Sequence, residues 1–218
     1  MSEFRNHFAP PSREPVNPSG TALLVIDMQN DLVEPDGTMF IAESRDAIEP
    51  IQRALKLARA SGMTVIYVTQ GLRPDGSDLG RFRQLVPVFA NGTALVEGTR
   101  GAQVCDALRP ADGEFVVVKR RHSAFFGTDL DILLRGRNID TVLVTGIATG
   151  SCVLTTARDA FARDYRTIVL GDACAHGTIR DRGWGDMRGA DIHRAVLTVL
   201  TTTTCEVMNV DDFATLVR

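Results

Sequence analysis

Asp140-Thr141-Val142-Leu143-Val144-Thr145 runs directly into Gly146-Ile147-Ala148-Thr149-Gly150-Ser151-Cys152-Val153. The first six residues are rich in β-branched and apolar side chains and read as a strand. Gly146 closes it, and a helical pattern occupies 153–163. A strand passing through a short loop into a helix is the repeating unit of a parallel α/β sheet. Cys152 falls at that junction, where unpaired backbone N–H groups favour negative charge. Such a position would lower a thiol pKa and make the sulfur a nucleophile. The alternative is a buried small hydrophobe, as free cysteines often are.

The same alternation extends in both directions. Strand patterns occupy 21–26, 64–68, 114–118, 141–145, 167–170 and 203–207. The first four are nearly continuous apolar runs, as a parallel sheet covered on both faces requires. Helical spacing is found at 46–61, ahead of Gly62 as a stop signal, at 128–134 with Thr128 as a candidate cap, and at 152–163 and 190–200. The segment 71–99 is too long for a simple connection, so a short helix is expected near 78–85. A second irregular loop spans 177–189. The expected architecture is a three-layer α/β/α domain around a mainly parallel six-stranded, Rossmann-like sheet.

The 218 residues suit one domain, with a net charge of only −3 that gives no footing for nucleic acid or an anionic membrane. No apolar run reaches the roughly 18–20 residues of a membrane span. Residues 1–20, with Pro10, Pro11, Pro15 and Pro18, read as an extended arm without a signal-peptide core, ahead of a single domain over 21–218. A cytoplasmic protein is expected. Cys105, Cys152, Cys174 and Cys205 contain no CxxC pair, which argues against a zinc finger or disulfide framework and suits a reducing compartment. Cys105, Cys174 and Cys205 lie in apolar surroundings and read as structural.

Ligands of open parallel sheets bind beyond the C-terminal strand ends. Asp27 follows the first strand, Lys119 the third and Cys152 the fourth, which gathers an acid, a cation and a thiol at one sheet edge. Taken singly, Asp27 would be a turn-capping acid and Lys119 a solvated strand end. Together they make a nucleophile, its proton acceptor and a cation to hold the acid. Backbone N–H groups of the loop before Cys152 would serve as an oxyanion hole.

Further candidates surround these three. Arg73, Arg81, Arg121 or His122 would hold a substrate carboxylate, or lie at the surface. Gln29 and Asn30 would orient Asp27 or a substrate carbonyl, or make a local turn. Phe125 and Trp184 would close an apolar wall, or pack elsewhere. His176, after the fifth strand, lies near the same edge.

Three stretches carry a family resemblance. Leu23-Leu24-Val25-Ile26-Asp27-Met28-Gln29-Asn30-Asp31, Lys119 with Ser123-Ala124-Phe125-Phe126-Gly127-Thr128-Asp129-Leu130, and Val144-Thr145-Gly146-Ile147-Ala148-Thr149 with Cys152-Val153 and Thr156-Ala157-Arg158-Asp159-Ala160 resemble, in order, the motifs of the isochorismatase-like cysteine hydrolases. The resemblance implies an Asp27–Lys119–Cys152 triad, a cis peptide between Ile147 and Ala148, and oxyanion donors at the N–H groups of Ala148 and Cys152. It implies C–N hydrolysis through a thioester, with ammonia released from a small ureido, carbamoyl or amide substrate. It also implies a homodimer or homotetramer. Nicotinamidase-like members bind a metal through an Asp and two His. Here only His7, His122, His176 and His193 are available and none lies in 68–79, so neither metal nor other cofactor is expected. A maleamate- or nicotinamide-type amidase is the enzymatic alternative. A catalytically idle binding or assembly relative is the other, and it has no need of all three triad residues.

Overall fold

The computed structural model describes residues 13–218. Strands β1 (Thr21–Ile26), β2 (Thr64–Gln70), β3 (Phe115–Lys119), β4 (Thr141–Ile147), β5 (Arg166–Ala175) and β6 (Glu206–Met208) form one six-stranded sheet. Helices α1 (Asn30–Val33), α2 (Ile48–Ser61), α3 (Phe82–Leu85), α4 (Pro87–Ala90), α5 (Leu130–Gly136), α6 (Leu154–Phe161), α7 (Gly189–Thr203) and α8 (Val210–Ala214) connect or follow them.

Every strand pairing is parallel, in the order β3-β2-β1-β4-β5-β6. This doubly wound order reverses direction between β1 and β4, and that switch point opens a crevice at the C-terminal strand ends. Alternation along each strand divides the core. Leu23 and Val25 of β1 face one layer with Ile51 and Leu55 of α2 and Phe213 of α8. Ala22, Leu24 and Ile26 face the other with Leu134 of α5, Ala157 of α6 and Leu200 of α7. Gly62 ends α2 in a left-handed cap at φ 79°, as its place in the sequence anticipates.

Three expectations are corrected. The third strand is not covered on both faces: Val116 and Val118 are exposed, because β3 is the sheet edge and α2 packs over β1, β2 and β5. The fifth strand runs on to Ala175, past Gly171 and Asp172, with a register shift between Val144 and Gly146 on its neighbour. Thr128 is not the cap residue of α5, a place taken by Asp129, although its Oγ1 accepts from Leu130 N at 3.3 Å. Of the arm expected over 1–20, residues 1–12 lie outside the described residues. Val16 is buried and pairs with Val217 beside the chain end. Among the described residues no helix is long and apolar enough to cross a membrane.

Candidate active site

Asp27 stands one residue past β1 with φ 54°, and its N–H donates to Val68 O at 2.8 Å. This left-handed residue turns the chain off the sheet at the switch point and leaves its carboxylate over the strand ends. Lys119, the last residue of β3, is fully buried and reaches across Gln70, its register partner on β2. Its Nζ lies 2.8 Å from Asp27 Oδ2, 3.1 Å from Gln70 Oε1 and 3.4 Å from Cys152 Sγ. An ammonium has three hydrogens, and these three acceptors account for all of them. Burial works against the Lys119 charge, but Asp27 and Cys152 together raise its pKa above the ordinary lysine value.

Cys152 sits in a π-turn, Thr149–Val153, between β4 and α6. Such turns concentrate at functional sites. The peptide between Ile147 and Ala148 is cis. Ser151 N donates to Ala148 O at 2.9 Å, and Thr149 Oγ1 is 2.8 Å from His193 Nδ1 on α7, fixing the turn from both sides. Gly146, at φ 108°, precedes the turn, and a Cβ there would collide with the carbonyl oxygen of Ile26. Close backbone contact between β1 and β4 therefore sets the spacing between Asp27 and Cys152.

The lowered thiol pKa expected from a helix start is not found. Burial first, and then the Asp27 carboxylate, push the Cys152 thiol up to about 12, against the opposing pull of Lys119. Enclosure outweighs the orphan N–H groups here, so the resting sulfur is a thiol. His122 Nδ1 lies 3.5 Å from the sulfur. Burial, and then Lys119, lower the His122 pKa, so this imidazole is neutral at pH 7.

Asp27, Gln70, His122, Ala148 and Cys152 form the polar floor of a cavity of 130 Å³. Leu32, Met39, Ile41, Phe82, Phe89 and Leu95 wall it, and Ile147 and Ser151 complete the lining. This is below the roughly 300–1,000 Å³ of sites for drug-sized ligands, so the ligand is small. Gln70 Nε2 is buried without a hydrogen-bond partner among the described residues, and Asp27 Oδ1 has only the Cys152 thiol to meet it.

The other candidates take other places. Gln29 is structural: its Nε2 donates to Gln70 O and Ala102 O, and its Oε1 accepts from Gln70 N. Asn30 Nδ2 donates to Arg100 O. Arg73 and Arg81 are exposed and do not line the cavity. Arg121 donates to the carbonyls of Asp78 and Arg120 and lies over Phe82. Phe125 packs on Tyr165 in the core beneath α5 and α6. Trp184 is 96% exposed, so it closes no wall within this chain. His176 lines a separate pocket with Glu43 and His193. Cys105 and Cys174 are buried, and Cys205 is half-buried. Among the described residues no three His, Cys, Asp or Glu side chains gather as metal ligands would.

The Isochorismatase domain model matches residues 21–212. The chain belongs to the isochorismatase family. It is 37% identical over 184 residues to the ureidoacrylate amidohydrolase RutB of Methylorubrum extorquens, covering 75% of this chain and 74% of that one. Among solved structures it is similar to a cysteine hydrolase from Pseudomonas syringae pv. phaseolicola 1448A, with a TM-score of 0.91 and 37% identity over 99% of this chain and 98% of that one. It is also similar to the N-carbamoylsarcosine amidase of Thermoplasma acidophilum, with a TM-score of 0.68 and 30% identity over 88% and 96% of the two chains. The isochorismatase-like fold expected from the sequence is the fold observed.

Gln70 is the functional residue that strand reading missed. With the second strand ended at 68, Gln70 fell into the following loop. Its pairing with Lys119 follows once β2 is carried two residues further. Met39 and Ile41 come from a loop and Phe82 and Phe89 from the one-turn helices α3 and α4, too short for periodicity to show which side chains turn inward.

Proposed function

We propose that the protein is a cysteine amidohydrolase that cleaves the C–N bond of a small amide or ureide through a thioester and releases ammonia. The observation that carries this reading is the single buried ammonium of Lys119 held by Asp27, Gln70 and Cys152 at the floor of a small cavity. The relatives named for ureidoacrylate and N-carbamoylsarcosine support the choice of bond.

The chemistry begins from a neutral thiol. As the substrate carbonyl settles over Cys152, the thiol proton passes to the Asp27 carboxylate and Sγ bonds to the carbonyl carbon. Lys119 offsets the negative charge that develops on sulfur. The N–H groups of Ala148 and Cys152 hold the oxyanion. The C–N bond then breaks, Asp27 returns the proton to the departing nitrogen, and ammonia leaves a thioester behind. Water gives a proton to Asp27 and attacks the thioester carbon. The Sγ–C bond breaks, and the sulfur recovers its proton.

The test is ammonia release from butyramide, N-carbamoylsarcosine, ureidoacrylate, biuret, maleamate and nicotinamide, with wild type and Cys152→Ala run side by side. Release that falls by at least roughly 10³-fold in Cys152→Ala is expected. Release unchanged by that substitution would overturn the cysteine mechanism.

A further inference from the structure

We infer that the cavity is built for an uncharged amide or ureide carrying a compact apolar body, and that it rejects substrates bearing a carboxylate. This rests on the amidohydrolase reading above and narrows it to a substrate class.

The floor defines one end of the ligand. Lys119 can only donate, so the Gln70 atom 3.1 Å from its Nζ is the amide oxygen, and Nε2 is the atom left over. That donor is buried and unpartnered among the described residues, and the Asp27 Oδ1 acceptor has only the Cys152 thiol to meet it. Buried polar groups left short of partners are costly, and a ligand that meets both recovers the cost. A neutral amide or ureide presents the required pair, an N–H for Asp27 and a carbonyl oxygen that Gln70 Nε2 meets alongside the Ala148 and Cys152 N–H groups.

The walls define the other end. Leu32, Met39, Ile41, Phe82, Phe89 and Leu95 offer apolar surface, and Ser151, beside the nucleophile, adds a hydroxyl but no charge. Among the described residues no arginine or lysine lines the cavity, and the nearby cations are already engaged. Lys119 has spent its hydrogens on the floor. Arg120 pairs with Asp78 at 3.2 Å and Glu97 at 2.8 Å. Arg121 is turned to two backbone carbonyls. His122 is held neutral by its burial. A substrate carboxylate would exchange water for apolar wall with no cation to meet it, close to the Asp27 carboxylate.

The experiment compares butyramide with succinamate, which have similar chains and differ by a terminal carboxylate. Hydrolysis is measured with the wild type, and binding with Cys152→Ala. The kcat/KM for butyramide is expected to exceed that for succinamate by roughly 10²-fold or more, with binding to Cys152→Ala in the same order. Met39→Arg, which adds a cation to the wall, is expected to raise succinamate use relative to butyramide at least tenfold. Equal or faster turnover of succinamate would overturn the inference and leave the amidohydrolase reading standing. Butyramide bound in preference to succinamate but never hydrolysed would support the inference and overturn that reading. Binding of neither compound would overturn the inference.

Discussion

Lys119 Nζ lies 2.8 Å from Asp27 Oδ2, with both side chains sealed from solvent. A buried pair of this kind is held as a unit. Removing one partner strands the other charge, while removing both can be nearly neutral. Lys119→Met is expected to lower stability by about 3–5 kcal/mol, and Lys119→Met with Asp27→Asn to recover most of that loss. Urea denaturation checks the stabilities. Ammonia release checks the companion expectation that both variants are inactive.

The resting thiol has a further consequence. An unfolded cysteine titrates near pH 8.5, whereas the folded Cys152 is pushed up to about 12. Between those values the folded state holds a proton that the unfolded state has released. The contribution is therefore fully present below about pH 8.5 and is lost as pH rises toward the folded value. Wild type is expected to lose stability above pH 8.5 more steeply than Cys152→Ala, by up to about 1.4 kcal/mol per pH unit. Urea midpoints between pH 7 and 10.5 measure the difference. Alkylation of Cys152 by iodoacetamide is expected to be slow at pH 7 and to climb with pH. A thiol that reacts fully at pH 6 would contradict the upward shift that burial imposes on Cys152.

Thr149 and His193 brace the turn that carries the sulfur, through a 2.8 Å contact. Thr149→Val keeps the shape and removes the hydroxyl, at about 1 kcal/mol. If that loss is felt in the transition state, kcat falls roughly fivefold with KM unchanged. Combined with His193→Leu, the effects are expected to be less than additive, as contacting residues usually are. Steady-state kinetics on the four proteins of the cycle provide the check.

Gly146 admits no side chain, since a Cβ would strike the backbone of Ile26 and φ is 108°. Gly146→Ala is expected to cost more than about 4 kcal/mol or to prevent folding. Gly136, at the end of α5, has open space around its Cα. Gly136→Ala is expected to be neutral or stabilising by up to about 1 kcal/mol. Thermal melts of the two variants give the contrast.

The sheet was legible because its strands are apolar runs bounded by polar residues and glycines. β1 was read at its observed bounds, Thr21–Ile26. β5 was cut short because Gly171-Asp172 has the composition of a turn. In the fold Asp172 instead takes the Val210 N–H at 3.0 Å and the Arg53 guanidinium at 3.2 Å, which lets the strand continue. Asp27, Lys119 and Cys152 were found from strand order, because the doubly wound fold brings strand ends to one edge. Phe125 and Trp184 stay open between wall and packing in the sequence, because a lone aromatic has no periodicity to say which way it faces; Phe125 packs and Trp184 is exposed. The thiol pKa was misjudged because burial depends on the whole fold and not on one helix start.

Asp27 carries a constraint of a different sort. Its backbone occupies a region that few residue types tolerate, while its side chain pairs with Lys119 and, in the proposed mechanism, takes the thiol proton. Glutamate would keep the charge but sits poorly in that backbone. Asparagine and glycine suit the backbone and lack the charge. Aspartate is the one common residue that meets both demands. Drift at this position is closed from two independent directions, and a descendant that abandons the chemistry would be expected to pass through asparagine or glycine.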